Sequence, residues 1–140
     1  MKPLGPIPAG FEAIDGELAI SGRKASDLVA EAGRTPLFVY SRSMIEQRIG
    51  LLRSAMPDRL KINYAIKANS FAPLLSHVAG LVDGLDIASG GELDMVQALG
   101  VAGSRVSFAG PGKRDRELEA AKRAVHLAVL SAEIGGESLA

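Results

Sequence analysis

Lys67 is the residue whose setting points most directly to chemistry. It follows the apolar run of residues 61–66. Alternation along a strand places it on the side of Asn63 and Ala65, away from Ile62, Tyr64 and Ile66. An amine held at the end of a strand among apolar neighbours loses solvation of its ammonium form. Its pKa then falls, and the neutral nitrogen becomes available as a nucleophile. Such a nitrogen can form a Schiff base with an aldehyde. Ala65, on the same side, leaves room for a flat ring. Asp86 lies on the matching side of the next apolar run, where it reads as a polar residue facing inward and bonded to backbone.

Other residue types narrow the possibilities. There is no cysteine, so disulfides and thiolate metal sites are excluded. His77 and His126 are the two histidines, and no HExxH pattern contains them, so no metal site is expected. His77 falls on a predicted outer helix and His126 just before a strand, neither placed to stack on a cofactor. Gly110-Pro111-Gly112-Lys113 is not a phosphate-binding P-loop. Ser107 stands where its first glycine belongs and Arg114 where its hydroxyl residue belongs. The segment reads as a strand-to-helix loop at a cavity mouth, with Lys113 in solvent.

The elements that must position Lys67 form a repeat. Apolar runs at residues 61–66, 85–88, 106–109 and 127–130 recur about every 22 residues, with helical patterns between them. Pro73 suits a first helical turn ahead of Leu74, Leu75 and Val78. Ser89 and Glu92 form a capping-box pair before Leu93, Val96 and Leu99, and Gly100 stops that helix. Asp115 is placed to cap a third helix carrying Leu118, Ala121 and Val125. Strands alternating with helices imply right-handed βαβ units and a parallel sheet. Each strand has one apolar side and one side of small or polar residues: Asn63, Ala65 and Lys67, then Gly84, Asp86 and Ala88, then Ser107 and Ala109. An open sheet covered by helices on both faces would be apolar on both. A lumen lined with small residues instead predicts a barrel that holds a ligand.

Upstream, Asp15-Gly16 predicts a hairpin turn between residues 11–14 and 18–20. Ser26 is placed to cap a short helix ending at Gly33, and residues 36–40 (PLFVY) are predicted as a strand. From Ser41 a helix presents Ile45, Ile49, Leu52 and Met56 on one face until Pro57.

Composition sets the outer bounds. The 140 residues are enough for a core, and 47% of them are apolar. Lysines plus arginines and acids are balanced at 16 each, so no net field favours nucleic acid or an anionic membrane. No run approaches the roughly 18 apolar residues of a membrane span, and the start lacks a secretory apolar region. The expected location is the cytoplasm.

Residues 64–69 (YAIKAN) resemble the cofactor-lysine motif of the ornithine, arginine and diaminopimelate decarboxylases. Segments 85–93 (LDIASGGEL), 106–113 (VSFAGPGK) and 36–40 occur in that family's order and spacing, so the resemblance spans roughly residues 35 to 131. It implies an α/β chain comprising the N-terminal portion, about four βα units, of a (β/α)8 barrel that binds pyridoxal 5'-phosphate. Residues 1–35 would be a lead-in and 36–140 the partial barrel. The resemblance also implies Lys67 as the covalent cofactor lysine, with Asp86 as the nearby acid and Ala65 beside them. The activity implied is decarboxylation of an amino acid of the diaminopimelate type, by a protein that is a homodimer when full-length. The chain would then be a fragment or shortened form of such an enzyme. Two alternatives are a racemase on the same barrel and a non-catalytic cofactor-binding or assembly module. Racemases usually follow the lysine segment with Tyr-Gly-His, where this chain has Ser70-Phe71-Ala72.

Overall fold

Asp15 and Gly16 both take positive φ, 52° and 77°, the sense of twist that a two-residue hairpin needs. Strand β1 (Phe11–Ile14) therefore folds back antiparallel on β2 (Glu17–Ile20), with Phe11 opposite Ile20 and Ile14 opposite Glu17. A two-residue strand β3 (Arg23–Lys24) extends this sheet. Helix α1 (Ala25–Ala32) ends at Gly33, whose left-handed φ of 66° lets its N–H return to the Val29 carbonyl at 2.9 Å. The computed structural model describes residues 10–109 and 114–124.

Two expectations for this region are corrected. Ser26 lies inside the first turn of α1 and is not its cap. The Glu17 carboxylate accepts from both the Ser26 N–H and, at 2.9 Å, its hydroxyl, so an acid on β2 serves the helix terminus. The Ser26 N–H, followed by its hydroxyl, holds the Glu17 pKa below the ordinary value. Residues 36–40 form no strand, and Phe38 is 81% exposed. Aromatic and branched residues favour extended backbone, but a strand also needs a neighbour for its N–H and C=O groups, and none of the described strands pairs with this segment. Helix α2 (Arg42–Ala55) follows, started by the Ser41 hydroxyl accepting from the Met44 N–H at 3.3 Å.

The chain divides within α2 into two units, Met1–Leu51 and Leu52–Ala140. The second is built on a parallel sheet of β4 (Asn63–Ala65), β5 (Gly84–Ile87) and β6 (Val106–Phe108), in that order. Helix α3 (Ala72–Ala79) connects β4 to β5, and α4 (Gly90–Ala98) connects β5 to β6. Helix α5 (Asp115–Ala124) follows β6. The core takes Leu85, Ile87, Val106 and Phe108 from one sheet face, with Leu75 and Val78 of α3 and Leu93 and Val96 of α4. Burying each such side chain contributes about 1.5–3 kcal/mol. The apolar run at residues 127–130 and the loop at 110–113 lie outside the described residues, as does His126. No described helix is long and apolar enough to cross a membrane.

In the second unit the helix starts follow the sequence with one exception. Ser89 caps α4, accepting from the Glu92 N–H at 3.3 Å, while Glu92 reaches back to the Ala88 N–H at 2.6 Å. Asp115, expected as a cap, is instead the first residue of α5. Glu117 makes the capping contact, accepting from the Arg114 N–H at 3.0 Å and, through its other oxygen, from the Gly90 N–H at 3.2 Å. A residue at position three of a helix can reach back to the amide just before it, and the second contact crosses from α5 to the first residue of α4.

Candidate functional site

Parallel register sets residues side by side. Ala65 of β4 pairs with Asp86 of β5, and Asp86 pairs with Ser107 of β6. Paired residues share a face, so Ala65, Asp86 and Ser107 form a row on the side opposite buried Leu85 and Ile87. All three are half-buried. The Ser107 hydroxyl donates to Asp86 Oδ1 at 2.7 Å. That contact is a hydrogen bond to a carboxylate, stronger than one between neutral groups.

Lys67 comes just past the C-terminal end of β4, in a 3-10 turn over Ile66–Ala68. The strand is shorter than its apolar run, because the chain turns at Ile66 and buries that side chain completely. The turn is pinned at several points. The Asn69 N–H bonds to the Ile66 carbonyl at 3.1 Å, and the Tyr64 hydroxyl donates to the Asn69 carbonyl at 3.0 Å. The Asn69 side chain accepts from the Phe71 N–H at 2.9 Å, leading into α3. Tyr64 and Asn69 therefore shape the loop that carries Lys67. Lys67 itself is exposed. The apolar surroundings expected for its amine are not supplied by the described residues, because the turn sends Ile66 inward and leaves position 67 outside.

The other end of the strands holds a cavity of about 300 Å³, lined by Lys61, Asn63, Asp83, Gly84 and Arg105, among others. These residues precede or open β4, β5 and β6, so the cavity lies at the N-terminal ends, away from Lys67. Its polar groups serve the fold. Arg105 donates to the carbonyls of Ala79 at 2.6 Å, Val82 at 2.9 Å and Asp83 at 3.1 Å. Asp83 accepts from Arg53 at 2.6 Å and from the Ile62 N–H at 2.7 Å. The Arg53 guanidinium, followed by the Ile62 amide, holds the Asp83 carboxyl below its usual range. We place the candidate site at the opposite end, where Lys67 offers an exposed amine and Asp86 a carboxylate with one oxygen not bonded to any described residue.

Sequence reasoning brought Ala65, Asp86 and Lys67 to one side but gave Ser107 no role. The available signal was its place on the Asp86 face of the adjacent strand, which becomes a contact only once the register is fixed.

Known proteins match the same region. Residues 42–134 match the pyridoxal-binding domain of the pyridoxal-dependent decarboxylases. A diaminopimelate decarboxylase of Aquifex aeolicus is 43% identical over 104 residues, covering 74% of this chain and 24% of the relative. A solved Aquifex aeolicus structure superposes with a TM-score of 0.73 at 41% identity, covering 82% of this chain and 28% of that one. The lysine decarboxylase of Selenomonas ruminantium, solved with pyridoxal phosphate and cadaverine, gives a TM-score of 0.63 at 36% identity, covering 72% and 27%. The chain thus spans about a quarter of the length of the proteins it matches.

Proposed function

The chain belongs to the pyridoxal-dependent decarboxylase family through its pyridoxal-binding domain, and on that premise we propose that it serves the decarboxylation of an amino acid of the diaminopimelate class. Lys67 is the residue that binds pyridoxal phosphate covalently, and Asp86 and Ala65 border the cofactor. The residues fit the group. A lysine with an accessible amine stands just past the end of one strand, while the adjoining row offers a carboxylate between two small side chains, Ala65 and Ser107. When bound, pyridoxal phosphate supplies an electron sink for the bond that releases carbon dioxide.

The protein's own groups have simpler tasks. The Lys67 amine would hold the cofactor through its aldehyde carbon. The Asp86 carboxylate, held through Oδ1, turns its other oxygen to the face of the sheet that also carries Ala65, where it can accept from a donor on the bound group. Ala65 has only a methyl group to offer and so leaves the space open. Residues 36–140 carry this cofactor region and residues 1–35 lead into it. The protein acts in the cytoplasm, as a homodimer in its full-length form.

The observation that carries the reading is a lysine at the C-terminal end of a parallel strand, in a chain whose matched domain is pyridoxal-binding. Incubation with pyridoxal phosphate, borohydride reduction and peptide mass analysis tests it. The expected outcome is labelling of the peptide that contains Lys67. Labelling of a different lysine, or none, overturns the assignment. Carbon dioxide release from diaminopimelate then separates a decarboxylase from a protein that only binds the cofactor.

A further inference from the structure

In the sequence Ser107 counts as a small or polar residue of the third apolar run and as a break in the P-loop pattern, yet it makes the hydrogen bond described above to the acid of the candidate site. We propose that Ser107 is a positioning residue, which holds the Asp86 carboxylate in one orientation and so sets how tightly the site holds pyridoxal phosphate. The inference rests on the assignment of Lys67 and Asp86 to the cofactor.

The register makes the contact a consequence of the fold. Asp86 and Ser107 are paired across β5 and β6, so their side chains leave the sheet on one face at the spacing of neighbouring strands. The 2.7 Å separation of Ser107 Oγ and Asp86 Oδ1 is ordinary for a hydroxyl donating to an oxygen acceptor. Asp86 has no other hydrogen bond among the described residues. Its other neighbour in the row, Ala65, has no polar side-chain atom to offer. The serine hydroxyl is therefore the one described polar restraint on the two torsions of Asp86. The carboxylate is half-buried, so without that bond it can swing between orientations, and a cofactor would have to select one of them. A hydroxyl that fixes the acid beforehand removes this penalty, as outer-shell groups do for metal ligands.

The test measures affinity for pyridoxal phosphate and the visible absorption band of the trapped cofactor in the full-length chain. The variants are Ser107→Ala, Ser107→Thr, Ser107→Val, Asp86→Asn and the double variant Ser107→Ala/Asp86→Asn. Thr and Val have nearly the same shape and differ in the hydroxyl, so their comparison isolates the hydrogen bond from packing. The expectation is about a tenfold loss of affinity and a shifted band for Ala and Val. Thr should stay near wild type, and adding Ser107→Ala to Asp86→Asn should cause no further loss. Suppose Lys67 is still trapped but Thr and Val behave alike, or the two single losses add. Then Ser107 is a packing residue and the proposal fails, while the cofactor assignment stands. If wild type traps no cofactor at Lys67, both fall together. Melting curves identify any variant that has lost its fold, and the Thr–Val pair then decides alone.

Discussion

Gly84 opens β5 where the chain passes closest to its neighbours. A Cβ built there lies 2.5 Å from Asn63 Oδ1 and 2.7 Å from the Arg105 carbonyl oxygen. The second contact is with backbone, which cannot step aside as a side chain can. Gly84→Ala should therefore lower stability by about 1–3 kcal/mol, read as a shift in the urea midpoint. Gly91→Ala makes the contrasting case. Nothing lies within 4 Å of a Cβ there and the residue is helical, so the expected change is neutral or about 0.5 kcal/mol stabilising. Equal effects at the two positions would contradict the packing described around β5. Position 67 differs from both, because its side chain is exposed and pinned by no described contact. Lys67→Arg should leave the melting transition within about 0.5 kcal/mol of wild type while abolishing borohydride trapping. A large loss of stability would mean that the lysine is structural.

Elements hold together here through carboxylates and a guanidinium that serve backbone groups distant in sequence. Glu117 joins α5 to the start of α4, and the N–H groups of Arg114 and then Gly90 hold its pKa below the ordinary 4.5. A depressed carboxylate contributes stability that is fully present above the unfolded value. That contribution is lost as pH falls through the lower, folded value. Hydrogen exchange at the Gly90 amide, corrected for its intrinsic pH dependence, should thus lose protection only as pH drops below about 4.5. Glu117→Gln should remove that pH dependence. Arg105 ties the end of α3 and the approach to β5 by three carbonyls, a spread that a lysine ammonium cannot match. These long-range links also explain what the sequence concealed. Asp15-Gly16, Gly33, Ser89 with Glu92, and the β5 and β6 runs were legible because each acts through near neighbours in the chain. Ser26 and Asp115 were misread because Glu17 and Glu117 reach the helix starts first. The segment at 36–40 has strand composition but no strand beside it. The face shared by Ala65 and Asp86 followed from alternation, which stops at the 3-10 turn that carries Lys67, whereas the Asp86–Ser107 bond required the register between strands.

At the scale of the whole molecule, the residues of the candidate site fall within one unit. Ala65, Lys67, Asp86 and Ser107 all belong to Leu52–Ala140, and the β1–β3 hairpin sheet belongs to Met1–Leu51. Cofactor capture, if it depends on these four residues, should tolerate damage to the hairpin. Gly16 gives a sharp way to inflict that damage. Its φ of 77° is open to glycine and strained for a branched residue, although no atom lies within 4 Å of a Cβ at that position. Gly16→Val should cost the hairpin about 1–2 kcal/mol through backbone strain alone. Amide exchange in β1 and β2 should quicken accordingly. The yield of borohydride-trapped Lys67 peptide should stay at the wild-type level, because strand register and the 3-10 turn at Ile66–Ala68 are set by contacts within the second unit. A fall in trapping that parallels the loss of hairpin protection would show that the lysine needs the first unit. The row on β4, β5 and β6 would then no longer account for capture by itself.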